Sequence, residues 1–197
     1  MQTEIEAKFA RIDHDDMRRR LKAAGGVCEQ PMRLLRRVIL DYPDGRLQKD
    51  NSYIRVRDEG HRVTVTLKKF VGDGINGAKE IEFTASDFMT PRQLFEAVGM
   101  KVQSEQESKR ETWTLDTCEV VLDEWPWVKP MMEIEGPSER AVKETAAKLD
   151  LNWADALFGD VTKAYLVEYD IAAEKISTND LIRFDMPVPD WLQRTRR

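Results

Sequence analysis

The sequence is poor in the residues that build soft metal sites and covalent staples. Its 197 residues include only two cysteines, Cys28 and Cys118, and two histidines, His14 and His61. With no CxxC pair and no histidine at ligand spacing from a cysteine, a zinc site or a disulfide framework is not expected. Long apolar runs are missing too. Nowhere do eighteen apolar residues follow one another, as a membrane-spanning helix would need, and MQTEIEAKF carries no apolar stretch of the signal-peptide kind. The expectation is a cytoplasmic protein with no membrane partner. An excess of positive charge is also absent: 31 basic residues face 36 acidic ones, for a net charge of -5. Nucleic acid held by bulk charge is therefore not an expected partner.

What the chain has in quantity is charge of both signs. Charged residues make up 34% of it, against about a quarter in an ordinary domain. The length suits one domain with a sizeable core. The chain is read as a domain over 1–178 followed by a C-terminal tail over 179–197, which is either partly disordered or docked over one end of the domain through Phe184, Val188, Trp191 and Leu192.

Alternation marks most of the elements. TEIEAKFARI, RLLRRVILDY, SYIRVRD, RVTVTLKKF, KEIEF, KVQSEQESKRETWTL, CEVVLDEW and PMMEIEG all read as strands. Helices are expected in DHDDMRRRLKAAGG, with Asp13 as cap and Gly25 as stop, in TPRQLFEAVG and in SERAVKETAAKLDL. NWADALFG and DVTKAYLVEYDI are read as helical as well, with a partly extended form left open for the second. His14 falls in a first helical turn and His61 beside a hairpin turn, where surface positions are expected. WPW (Trp125–Trp127) suggests a stacking surface for a nucleobase, but the reading preferred is a turn packed against the sheet, since Pro126 suits no central strand.

Period two sorts these strands into faces. Glu4, Glu6 and Lys8 share one face, as do Tyr53, Arg55 and Arg57, and then Thr64, Thr66 and Lys68. Glu80 and Glu82 lie opposite Ile81 and Phe83, Glu133 and Glu135 opposite Met132 and Ile134, and Asp123 opposite Val120 and Leu122. A sheet with ionisable faces in water would satisfy this alternation. Two features favour another arrangement: the repeated pairs of carboxylates and guanidiniums, and helices whose apolar stripes could cover the aliphatic faces from outside. The fold expected is α+β, a closed antiparallel eight-stranded β-barrel with a polar lumen and helices packed outside.

Stability alone does not favour such a lumen. Two like charges about 7 Å apart repel by about 2 kcal/mol at an effective dielectric of about 20. Enclosed cations call for a polyanion and enclosed carboxylates for a hard divalent metal. A triphosphate carrying Mg²⁺ or Mn²⁺ meets both demands.

The order of motifs then resembles the CYTH superfamily, the triphosphate tunnel metalloenzymes. That family includes class IV adenylyl cyclases, thiamine triphosphatases, inorganic triphosphatases and fungal-type RNA triphosphatases. TEIEAKF resembles its N-terminal ExExK signature, YPDGRLQKDNSYIRVR its RxR strand, VTVTLKK its lysine strand and KEIEF its next acidic strand. SKRETW, VVLDEW and MEIEG resemble its basic, aspartate and final ExE strands, so the likeness spans about residues 2–170. It implies metal-site carboxylates at Glu4, Glu6, Glu133 and Glu135, supported by Glu80 or Glu82 and by Asp123. It implies triphosphate ligands at Lys8, Arg55, Arg57, Lys68 and Arg110, with Glu4, Glu6 and Lys8 as the catalytic group. Lys163 in VTKAYL stands where the family carries a further basic residue, although Ala164-Tyr165 replaces its Ser-Tyr pair. Adjacent strand residues face opposite ways, so either Lys109 or Arg110 points inward. The activity implied is a metal-dependent triphosphatase acting on tripolyphosphate or an organic triphosphate. A class IV-type adenylyl cyclase and a non-catalytic polyphosphate binder are the alternatives, and a homodimer is left open.

Overall fold

A computed structural model describes residues 1–197. Ten strands form one sheet: β1 (Gln2–Glu4), β2 (Glu6–Ala10), β3 (Val27–Asp41), β4 (Ser52–Asp58), β5 (Val63–Phe70), β6 (Ala78–Ala85), β7 (Lys101–Leu115), β8 (Cys118–Glu124), β9 (Met131–Glu135) and β10 (Leu181–Ile182). Seven helices accompany them: α1 (His14–Ala23), α2 (Arg46–Lys49), α3 (Met89–Ala97), α4 (Glu139–Lys148), α5 (Thr162–Glu168), α6 (Glu174–Ser177) and α7 (Asp190–Gln193).

The strand order is β1-β6-β5-β4-β3-β7-β8-β9-β2, so both ends of the sheet belong to one N-terminal segment. Ile5 is the switch point. Before it, Glu4 is paired with Ala78 of β6. After it, Glu6 is paired with Glu135 of β9, and the Gly136 amide donates to the Ile5 carbonyl at 3.0 Å. The segment thereby joins the two edges and nearly closes a barrel, which leaves few unpaired edge groups. With β1 and β2 taken as one strand, and the two-residue β10 set aside, the wall has the expected eight strands.

The apolar mass lies outside that wall. Ala7, Phe9, Trp113, Leu122, Met132 and Ile134 turn outward and pack beneath Met17 and Leu21 of α1 and Val142 and Ala146 of α4. Each helix is fixed at its start: Asp13 accepts from the Asp16 amide at 2.9 Å and Ser138 from the Ala141 amide at 3.1 Å. The cover is incomplete. Ile81 and Phe83, on the outer face of β6, are 50% and 56% exposed, because no helix crosses that strand.

Other expectations are corrected. NWADALFG yields only a 3₁₀ turn at Trp153–Asp155, whereas DVTKAYLVEYDI forms α5 and turns extended at Tyr169, as the sequence allowed. His14 is buried rather than on the surface, with Nε2 at 3.0 Å from the Met131 carbonyl.

The tail is built into the wall. Strand β8 pairs with β7 only from Lys109 onward. Below that point β10 takes its place, Leu181 paired with Glu105 and Ile182 with Gln106 in parallel. The Glu105 amide donates to the Asp180 carbonyl at 2.8 Å, and the Arg197 amide to the Glu168 carbonyl at 2.9 Å. Ile182 and Leu192 are buried in one cluster with Trp125, Met131, Tyr165 and Tyr169. Truncation of one such buried aliphatic side chain costs about 2–5 kcal/mol. A chain ending at Asp180 is therefore expected to unfold at a clearly lower urea concentration than the full chain. An unchanged midpoint would show that the tail adds nothing to the barrel.

Candidate functional site

The inward faces of the strands enclose a cavity of ≈ 220 Å³. Its walls are chemically divided. Glu4, Glu80, Glu133 and Glu135 line it from β1, β6 and β9, and Arg37, Arg55, Arg57 and Arg110 from β3, β4 and β7. Lys8 and Lys68 line it as well and stand among the carboxylates. Lys8 Nζ is 2.9 Å from Glu6 and 3.2 Å from Glu133. Lys68 Nζ is 2.7 Å from Glu4 and 3.4 Å from Glu6. On the basic side, Arg110 makes a two-pronged contact with Asp123 at 2.8 and 2.6 Å. Arg57 is paired with Glu59, and Arg55 lies 3.5 Å from Glu82.

The lumen thus gathers Glu4, Lys8, Arg55, Arg57, Lys68, Glu80, Glu82, Arg110, Asp123, Glu133 and Glu135, with the buried Glu6 carboxylate bonded to its two lysines. Both Glu80 and Glu82 face it, as period two requires. Of the adjacent basic pair, Arg110 points in. Lys109 points out: its ammonium is 3.1 Å from Glu124 and 4.8 Å from the centre of the Phe184 ring. Lys163 also stands outside the lining. It lies on α5 with its aliphatic stem over Gly159, while Asp160, Val161 and Thr162 reach the cavity just before it.

Sequence reasoning passed over Arg37 and Glu119 and read Trp125 as part of a packed turn, yet all three line the cavity. Glu119 was legible, since it shares a face with Val121 and Asp123. Arg37 shares its face with Leu35 and Ile39, which disguises it as part of an apolar stripe.

The confined charge shifts the acids in opposite directions. Burial, then the Glu133 charge, pushes Glu6 up to about 7 despite its two lysines. Burial and Glu4 push Glu80 up to about 7. Burial, with Glu133, Glu4 and Glu6 adding repulsion, pushes Glu135 up to about 8. Glu133 goes the other way: burial would raise it, but Lys8, a hydrogen bond from Glu6 and Arg110 hold it well below the usual range. Glu59 is likewise held at about 2, because Arg57 and Arg62 outweigh its burial.

The donors on the acidic side are all carboxylate oxygens, the set a hard divalent cation takes. Lys8 and Lys68 stand between them, and no three carboxylates converge at ligating distance. Even so, Glu80 and Glu135 have no basic partner within ion-pair distance, in contrast to Glu4, Glu6 and Glu133. This corner is short of positive charge, which a hard divalent cation would supply.

Residues 2–158 match the CYTH domain model. The chain belongs to the CYTH family. No curated protein sequence matches it. Among solved structures it is similar to a candidate adenylate cyclase from Vibrio parahaemolyticus, at 14% identity and a TM-score of 0.72, over 83% of this chain and 97% of that one. A protein of Pyrococcus horikoshii is 22% identical with a TM-score of 0.66, over 78% and 93% of the two chains. A Hippeastrum protein, described as a candidate adenylyl cyclase with a dominant triphosphatase activity, is 13% identical with a TM-score of 0.55, over 80% and 91%. At such identities the likeness speaks for the CYTH fold. No helix is long and apolar enough to cross a membrane.

The raised acids of this CYTH protein give its stability a pH dependence of known sign. Between the ordinary value of 4.5 and about 7 to 8, the folded state holds protons at Glu6, Glu80 and Glu135 that the unfolded state has released. Stability therefore falls as pH rises through that window. With a chelator present, the melting temperature is expected to drop steadily from pH 5 to pH 8, and Glu135→Gln to flatten the slope. A melting temperature that climbs over the same range would contradict the assigned shifts.

Proposed function

We propose that this protein is a divalent-metal-dependent phosphohydrolase that binds a triphosphate in the barrel lumen. The observation that carries the reading is the division of one cavity into a carboxylate wall and a guanidinium wall. Each wall keeps groups that the protein does not pair, Glu80 and Glu135 on one and Arg37 on the other. Arg55, Arg57 and Arg110 present forked donors suited to phosphoryl oxygens, and Lys8 and Lys68 present point charges. Glu4, Glu6, Glu133 and Glu135 would hold the metal, with Glu80 beside them. The metal, when bound, supplies charge neutralisation at the phosphoryl oxygens and an acidified water.

The chain's own residues do the rest. The guanidiniums hold the phosphate chain in line and stabilise the charge that builds on it during transfer. Glu80, free of a basic partner and outside the metal set, would take the proton of the attacking water. A new P–O bond forms to that water as the bridging P–O bond breaks, and the leaving phosphate departs with its electron pair. Asp123 acts at one remove by fixing the Arg110 fork.

Purified protein given Mg²⁺ or Mn²⁺ and either ATP or inorganic tripolyphosphate is expected to release orthophosphate. Glu4→Gln and Glu6→Gln should each lower the rate by about 10²-fold or more. Cyclic AMP with pyrophosphate as the products of ATP would assign it instead to the cyclases. Tight binding without turnover would make it a polyphosphate binder.

A further inference from the structure

Arg37 is the lumen cation without a counterion. Every other basic side chain that lines the cavity has a carboxylate within 4.0 Å: Lys8, Lys68, Arg55, Arg57, Arg62 and Arg110 each hold at least one. Arg37 holds none, although only 6% of it is exposed. Its Nη2 donates to the Ser108 hydroxyl, and its Nε has no partner. The guanidinium lies against the Trp125 ring, with Cζ 4.4 Å from the ring centre. On the sheet Arg37 sits directly opposite Arg57 on one side and Gln106 on the other.

A buried charge left alone is costly, and proteins normally pair it. Here the neighbours make matters worse, because Arg57, Arg55 and Arg110 all press on Arg37. The stack on Trp125 covers one face of the guanidinium but neutralises nothing. It does fix the plane, so that the donor edge stays in one orientation, as in-plane contact with a phosphoryl group requires. Trp125 is buried in one apolar cluster with Ile176, Ile182 and Leu192, so the C-terminal segment helps build the surroundings of the ring on which Arg37 rests.

We propose that Arg37 binds substrate directly, as the fourth member of a phosphoryl subsite with Arg55, Arg57 and Arg110, and that Trp125 is its positioning residue. The inference rests on the reading of the lumen as a triphosphate site and adds a ligand to it. Its signature is an opposition between stability and binding. Removal of an unpaired buried cation relieves the free protein, whereas removal of a structural arginine harms it.

The test is calorimetric titration of the full-length protein with inorganic tripolyphosphate in Mg²⁺, together with the melting temperature of the ligand-free form. Arg37→Met is expected to bind tripolyphosphate about tenfold more weakly or worse while melting at a higher temperature than the wild type. Arg37→Lys, which keeps the charge but loses the fork and the stack, should fall between the two in affinity. Tripolyphosphate affinity unchanged in both variants would overturn the subsite and leave the triphosphate reading standing. Loss of affinity and melting temperature together in both variants would also overturn it, making Arg37 a framework residue. A wild-type protein that binds no tripolyphosphate would remove the triphosphate reading and this subsite with it.

Discussion

Lys8 and Lys68 sit between carboxylates contributed by β1, β2 and β9, each ammonium group within 3.4 Å of two of them. Those contacts make a charged interior tolerable, and the rest of the architecture follows from having one. A strand that sends Glu6 and Lys8 inward must send Ala7 and Phe9 outward, so the hydrophobic core has to form on the outer surface, under α1 and α4. Register is then fixed without ambiguity. A slip of one residue in β2 would set Glu6 and Lys8 against that core and place Phe9 in the lumen. The inverted pattern therefore specifies the barrel as firmly as an ordinary core would.

Buried ion pairs rarely repay their desolvation, so the lumen is better understood as a site than as a source of stability. Its two walls are unbalanced in opposite senses. On the acidic wall Glu6, Glu80 and Glu135 hold protons toward neutral pH. On the basic wall burial, and then the neighbouring guanidiniums, depress Arg57 to about 10 and hold Arg37 well below its ordinary range. A neutral ligand would relieve neither wall. A chelate of a divalent cation and a polyanion relieves both, since its metal answers the carboxylates and its phosphates answer the arginines.

Most of this was legible in the alternation. The EIE, RVR and TVTLK patterns each place like residues two apart, and each such face turned inward. The sequence could not decide between adjacent residues of one strand, such as Lys109 and Arg110, because a run of polar residues has no apolar partner to mark its phase. Arg37 was hidden for the converse reason: Leu35 and Ile39 flank it on the same face, so the pattern marks that face as apolar. The expected helical cover failed over Ile81 and Phe83 because a strand pattern says which face is apolar and nothing of what packs on it. The tail's place in the wall depends on where β8 stops pairing with β7, a property of tertiary geometry that local pattern does not contain.

Trp125 bears on which triphosphate the lumen suits. An aromatic ring beside a phosphate site invites the idea of a base-stacking platform. Here the Arg37 guanidinium lies over the ring, the tail packs against it, and only 7% of the residue is exposed. Tyr53, the other aromatic residue of the lining, is tilted against Phe70 with ring centres 6.3 Å apart. Neither ring stands open as a platform in the way that the arginine edges stand open to phosphate. Recognition built on the phosphate chain rather than on a base accords better with hydrolysis than with cyclisation. A cyclase must hold the ribose 3′-hydroxyl in line with the α-phosphate, whereas a hydrolase needs only the phosphates and a water.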